Sequence, residues 1–207
     1  CGAEQKTVLP VLESCAGTIC PSHDYHDAPE FGHWSHAGID YTLELGLFRG
    51  TSDTEFSPNV AMTRAMLVAV LYRLAGSPSV SGKTPFTDVA AGTWYSDAVL
   101  WAYQNDIVAG TSDTTFEPLS NITREQIVAI FSRYTAKFAP DKAKAAAELT
   151  GFADSASVSD WAVNDMKWAV AQKIIGGREN GGRLYLAPQG NASRAEVATI
   201  LMQYCAL

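Results

Sequence analysis

The sequence has no surplus of positive charge: 15 Lys and Arg stand against 22 Asp and Glu, a formal net charge of −7. That balance argues against a sequence-independent grip on nucleic acid or on an anionic membrane surface. No apolar run approaches the roughly 20 residues that a spanning helix needs, so membrane insertion is not expected. The N-terminus lacks the basic, apolar, small-residue succession of a signal peptide, and the chain reads as a mature or excised piece. Four cysteines in 207 residues are too few for a disulfide scaffold, so the core must come from packing. Cys15 and Cys20 are close enough for one short-loop bridge, but nothing else supports it. There is no phosphate loop, dinucleotide fingerprint or nucleophile elbow, and the acidic residues are scattered. Neither catalysis nor a cofactor is expected of this chain.

What the sequence does have is 47% hydrophobic residues against 18% charged, enough to bury a core, and a repeat. Gly50-Thr51-Ser52-Asp53-Thr54 recurs as Gly110-Thr111-Ser112-Asp113-Thr114, and the same shift of 60 carries Trp34 to Trp94, Pro58 to Pro118 and Arg64 to Arg124. A third copy is displaced by 67 at Trp161 and Gly177, then by 70 at Pro188 and Arg194. The extra residues fall within the basic, Gly-rich stretch from Gly177 to Arg183. Fixed-period similarity of this kind marks a repeat architecture.

Each copy reads as helix, loop, helix. Ile39, Leu43 and Leu47, then Val99, Tyr103 and Ile107, then Met166, Val170 and Ile174 recur every fourth residue, as on one helix face. Gly50, Gly110 and Gly177 follow where a positive-φ helix stop is expected. In the second helix, positions +3, +6, +7 and +10 from the Arg are apolar in all copies: Leu67, Val70, Leu71 and Leu74; Ile127, Ile130, Phe131 and Tyr134; Val197, Ile200, Leu201 and Tyr204. Thr63, Thr123 and Ser193 precede the arginines as N-caps, followed three residues later by Met66, Gln126 and Glu196. A reciprocal capping box is thus complete in the third copy, plausible in the second and absent in the first.

A helix pair of about 60 residues cannot bury its own stripe. The expected fold is therefore all-α: three helix–loop–helix repeats in a pseudo-threefold arrangement around a central three-helix bundle of the second helices. Short strands beside the Phe56-Ser57-Pro58 and Phe116-Glu117-Pro118 loops are a minor expectation. The Ala/Lys-rich stretch from Asp141 to Glu148 should extend or add a helix. Residues 1–22 read as a leader or the remnant of a truncated upstream module, with repeats at 23–80, 81–147 and 148–207. Cys1-Gly2-Ala3-Glu4 also fits a lipid-modified terminus.

The motifs resemble those of the S-layer homology (SLH) family. Its repeat runs Phe-x-Asp, a Trp, an apolar helix, a Gly-containing loop ending in Phe-x-Pro, then a Thr-Arg-Ala-Glu helix start. Here the first element is Tyr25-His26-Asp27, Phe86-Thr87-Asp88 and Phe152-Ala153-Asp154; the helix start is Thr63-Arg64-Ala65-Met66, Thr123-Arg124-Glu125-Gln126 and Ser193-Arg194-Ala195-Glu196.

The resemblance covers about residues 25–207. It implies a bacterial cell-surface module that anchors a protein non-covalently to the cell wall by binding secondary cell-wall polysaccharide, commonly pyruvylated, in inter-repeat grooves. The implied ligand contacts are Arg64, Arg124 and Arg194 for the carboxylate, with Asp27, Asp88, Asp154, Trp34, Trp94, Trp161, Gly50, Gly110 and Gly177 completing the grooves. A guanidinium at a helix start suits a ketal carboxylate, and an indole can cover a sugar's C–H face. The alternative is a protein-interaction module that keeps the architecture without the glycan.

Departures from the family pattern are Asp53-Thr54 and Asp113-Thr114 in place of Asp-Gly, the Arg178 and Arg183 insertion, and the missing motif Glu in the first copy. They rank the repeats second, first, third as ligand sites. Two plainer readings stand beside the functional ones. The arginines can instead tie loop to hub by pairing with the Phe-x-Asp carboxylates, and the tryptophans can be buried packing residues. His23, His26, His33 and His36, near Asp24, Asp27, Cys15 and Cys20, read as a solvated loop or as metal ligands.

Overall fold

The structure is a computed structural model and describes residues 20–207. Cys1, Cys15 and most of the leader lie outside the described residues. The chain is mostly helical. Six α-helices are present among the described residues: α1 His36–Glu44, α2 Arg64–Leu74, α3 Ser96–Gln104, α4 Arg124–Phe138, α5 Val163–Ala171 and α6 Arg194–Cys205. A hairpin of β1 Arg178–Asn180 and β2 Arg183–Tyr185 occupies the insertion of the third repeat. No helix among the described residues is long and apolar enough to cross a membrane.

The second helices start as their caps dictate. Thr63, Thr123 and Ser193 are extended, and each hydroxyl accepts the N–H three residues on, at 3.3, 3.3 and 3.2 Å. The reciprocal box is complete in α4, through Gln126, as well as in α6, through Glu196. Every stripe position named above on α2, α4 and α6 is buried. The Ala/Lys-rich stretch carries only a 3₁₀ turn, Pro140–Lys144, whose Lys142 carbonyl accepts from the Trp168 indole at 3.0 Å.

The tight helix pairs form between repeats: α2 against α3, α4 against α5, and α6 back against α1. The first helix of each repeat thus covers the second helix of the repeat before it. The segments that lead into the second helices meet through the backbone. Met62 N–H donates to Ala192 (2.8 Å), Ala192 N–H to Ile122 (3.3 Å) and Ile122 N–H to Met62 (2.9 Å), a closed ring that takes one residue from each repeat. Phe131 and Tyr134 of α4 also touch the Tyr204 ring of α6.

The first helices end earlier than their apolar spacing suggested. The left-handed stop is Gly46, Asp106 or Lys173, four residues before the glycine expected to serve. Gly50 and Gly110 do not have positive φ; they are glycine because the chain folds back on them. A Cβ at Gly110 would collide with the Ser112 and Thr115 carbonyls and lie 2.7 Å from the Phe86 ring. Gly50 meets the equivalent Ser52, Glu55 and Tyr25 atoms.

Candidate functional site

The site grows from one residue per repeat, the loop residue before the Pro turn: Phe56, Phe116 or Leu186, each fully buried. Its N–H and that of the next residue donate to the Phe-x-Asp carboxylate of the same repeat. Asp27 receives Phe56 and Ser57 at 2.7 Å each. Asp88 receives Phe116 at 2.9 Å and Glu117 at 2.7 Å, and Asp154 receives Leu186 at 2.7 Å and Ala187 at 2.8 Å. Ser57, Glu117 and Ala187 are left-handed, with φ of 58°, 57° and 48°. The two charge-assisted hydrogen bonds hold a conformation that non-glycine residues adopt at a cost. The positive-φ position therefore lies three residues beyond Thr54 and Thr114, and the missing Asp-Gly does not disturb the loop.

The carbonyl of the same residue is taken from the other side by an arginine of the preceding repeat. Nε of Arg64 donates to Phe116 (2.8 Å), Nε of Arg124 to Leu186 (2.7 Å) and Nε of Arg194 to Phe56 (2.8 Å). Arg64 and Arg194 also stack on the Phe116 and Phe56 rings, 4.7 and 4.6 Å from the centroids. The arginines are only 6%, 4% and 6% exposed. The picture of three guanidiniums facing an open cleft is corrected accordingly, because each is consumed largely by the loop it docks. The plainer reading is corrected too. The arginines clamp the carbonyl of the residue whose N–H the Asp holds, and among the described residues none pairs with that Asp directly. Burial lowers all three pKa values, that of Arg194 to about 10. They remain cations at neutral pH.

Two grooves lie above these clamps. The first, about 400 Å³, has Arg64 of the first repeat, the loop through Ala109 and Gly110 of the second, Gln126 and Arg133 on α4, and Trp161 of the third. The second, about 270 Å³, has Arg124, the loop through Gly177, Glu196 and Gln203 on α6, and Trp34. Each groove thus draws residues from all three repeats. Trp34, Trp94 and Trp161 are 57%, 59% and 55% exposed, which overturns the buried-packing reading. Arg194, Gly50 and Trp94 line neither of these grooves. Arg73 of α2 donates to the Leu47 carbonyl at 2.7 Å and Arg194 Nη2 to that of Arg49 at 2.7 Å. Asp27, Asp88 and Asp154 line neither groove, since their oxygens serve the loops.

The sequence matches the model of the S-layer homology domain at residues 24–65, 85–128 and 151–198. The chain belongs to the S-layer homology family. An amylopullulanase from Thermoanaerobacterium thermosulfurigenes is 33% identical over 169 residues, 82% of this chain and 9% of that protein. The surface-layer 125 kDa protein of Lysinibacillus sphaericus is 27% identical over 192 residues, 92% of this chain and 16% of that protein. A cellulosome-anchoring protein of Acetivibrio thermocellus is 29% identical over 106 residues, 49% of this chain and 24% of that protein. The chain therefore spans a quarter or less of the length of these relatives, and the part they share is the S-layer homology portion. Family membership together with the surface-layer and anchoring relatives places this S-layer homology chain at the cell surface as an anchoring module.

The two grooves of this S-layer homology chain differ in charge. The first carries Arg64 and the exposed Arg133 with no acid among its lining residues. In the second, Glu196 takes Arg178 through two oxygens at 2.8 Å each and Arg124 at 3.2 Å. The inserted hairpin thus lays Arg178 across the groove, where the single Glu196 neutralises one of its two arginine charges. Arg133 escaped the sequence reading. Its only signal was its place nine residues after the motif arginine, where the first repeat has Arg73 and the third Gln203.

Glu196→Gln should remove that neutralisation while keeping an N3 side chain able to close the capping box, as Gln126 does. The expected result is a loss of about 1–2 kcal/mol in denaturant unfolding, together with tighter binding of an anionic sugar in the second groove. Unchanged affinity would mean that Arg178 blocks the groove by its bulk.

Proposed function

We propose that this chain holds a larger protein on the cell wall by binding secondary cell-wall polysaccharide, with a pyruvate ketal carboxylate as the anchoring group. The observation that carries the reading is the first groove, in which two arginines, an open loop backbone and an exposed indole from a third repeat converge with no acid among the lining residues. Arg133 and the remaining N–H capacity of Arg64 take the carboxylate, the backbone around Gly110 takes hydroxyls, and Trp161 covers a C–H face. The second groove is the weaker copy. We place the repeats at 23–80, 81–147 and 148–207 about a pseudo-threefold axis, supported by the closed backbone ring of Met62, Ile122 and Ala192. With a net charge of −7, attraction to an anionic glycan is local, so binding tolerates salt better than phosphate-tracking contacts do.

Sedimentation with purified sacculi, before and after removal of the non-peptidoglycan polymer, tests this reading. Retention should disappear with the polymer; equal retention on both would end it. Arg133→Ala and Trp161→Ala should each weaken binding of a pyruvylated monosaccharide by roughly tenfold, with no change in melting temperature. If both bind as the parent does while the chain still captures another surface protein, the architecture serves protein assembly instead.

A further inference from the structure

We infer that Cys20, His36 and Asp40 form a site for one zinc-class divalent cation, outside the grooves. Cys20 lies on the segment preceding the first repeat helix; His36 and Asp40 are one turn apart on α1. The Sγ, Nε2 and Oδ2 atoms face one another, with Sγ–Oδ2 at 3.0 Å, Nε2–Oδ2 at 3.1 Å and Sγ–Nε2 at 3.5 Å. A tetrahedral zinc with bonds of about 2.3 Å to sulfur and 2.0 Å to nitrogen and oxygen spaces such atoms roughly 3.3–3.6 Å apart. Shifts of a few tenths of an ångström would admit the ion. His36 is 7% and Asp40 1% exposed, so these are not chance neighbours in a solvated loop.

The surroundings give the stronger argument. Nδ1 of His36 lies 2.7 Å from the Pro29 carbonyl. A carbonyl only accepts, so Nδ1 donates to it, and Nε2 faces the Asp40 carboxylate and the Cys20 sulfur. The 3.1 Å separation of Nε2 and Oδ2 is that of a His–Asp pair sharing a proton, and a metal ion can take that proton's place between the same two atoms. An Nδ1–H bonded to a backbone carbonyl is also how metal-bound histidines are oriented. The other Asp40 oxygen, Oδ1, accepts the Ser22 N–H at 3.0 Å, which aims Oδ2 at the cluster. The Phe31 and His36 rings lie nearly perpendicular with their centroids 5.9 Å apart. A thiolate, an imidazole and a carboxylate together suit zinc better than calcium or magnesium, which take oxygen. The bound ion would pin the segment at Cys20 to α1, the helix that covers α6. Of the histidine cluster, His36 thus sits among ligand groups, whereas His23, His26 and His33 are exposed.

The test uses the whole chain, untagged and reduced, loaded with Zn²⁺ and dialysed against metal-free buffer. Elemental analysis should find about one zinc per chain, and Co²⁺ in its place should show a thiolate charge-transfer band in the near ultraviolet. Cys20→Ser should remove that band, and Asp40→Asn, which keeps the shape and the Ser22 contact, should weaken binding roughly tenfold or more. Cys205→Ser and a double His23→Ala, His26→Ala variant should bind as the parent does. No retained metal would overturn the site and leave a His36–Asp40 pair that only holds the segment to α1. Retention with a charge-transfer band unaltered by Cys20→Ser would overturn it in favour of another thiol. Should Cys20→Ser fail to fold, the parent's cobalt spectrum and the Asp40→Asn affinity decide the matter.

Discussion

Arg64→Ala is expected to lower stability by about 3 kcal/mol, although this arginine bears the charge that suggests a ligand contact. Its side chain donates to the buried Phe116 carbonyl at 2.8 Å and lies over the Phe116 ring. Truncation leaves that carbonyl unpaired, at roughly 1–3 kcal/mol, and removes the stacking, worth about 1 kcal/mol or more where water is excluded. In a domain of this size the melting temperature should fall by roughly 6–12 °C. Sugar affinity, measured at a temperature where the variant is folded, should fall as well, because the arginine also floors the first groove. Arg64→Lys should recover little, since an ammonium cannot donate from the Nε position while lying flat on the ring. A variant with unaltered stability but lost affinity would show that the clamp is dispensable and the arginine is purely a ligand residue.

Asp154→Ala should cost about as much, again near 3 kcal/mol, without touching either groove directly. Two N–H groups, of Leu186 and Ala187, lose a carboxylate at 2.7 and 2.8 Å. Hydrogen bonds to charged acceptors are worth about 1.5–3 kcal/mol each, discounted here because water reaches this partly exposed carboxylate. Ala187, at φ 48°, also loses what holds it left-handed. Ala187→Gly should therefore restore part of the loss in the Asp154→Ala background. Denaturant unfolding of the single and double variants checks this; absence of any rescue would mean that the left-handed turn is held by packing alone. Because Arg124 holds the carbonyl of the same Leu186, Arg124→Ala combined with Asp154→Ala should cost less than the sum of the two.

Much of the framework was legible before any coordinates. Thr63, Thr123 and Ser193 announced three helix starts through a rule that spans three residues, and the stripe from Leu67 to Leu74 and its two counterparts announced the buried faces. Both signals are local and periodic, so a linear pattern can carry them. The first helices were read too long because Leu47, Ile107 and Ile174 continue the apolar spacing past the true stop. They are buried all the same, in the turn after the helix, and spacing cannot tell a buried turn residue from a buried helical one.

The candidate site was legible by residue type and misread by direction. That an arginine recurs at each helix start is visible in the chain; that it reaches into the loop of the next repeat is not. Arg194 meets Phe56 across 138 positions, and no local rule selects a partner at that separation. The exposure of Trp34, Trp94 and Trp161 was equally hidden, since a large aromatic at a fixed distance from a loop suits packing and binding alike. Arg133 belongs to no motif, and only the fold brings it into one groove with Trp161 of another repeat.

Residue order alone thus specified the threefold recurrence, the caps, the apolar faces and the family, since each depends on interactions within a few positions. Only the folded chain decided that the motif arginines bind their own protein first, that one groove keeps both arginine charges while Glu196 offsets one of the two in the other, and that Cys20 meets His36 and Asp40. Those outcomes depend on which distant groups share a dry volume, where an unpaired polar atom is costly enough to choose its partner.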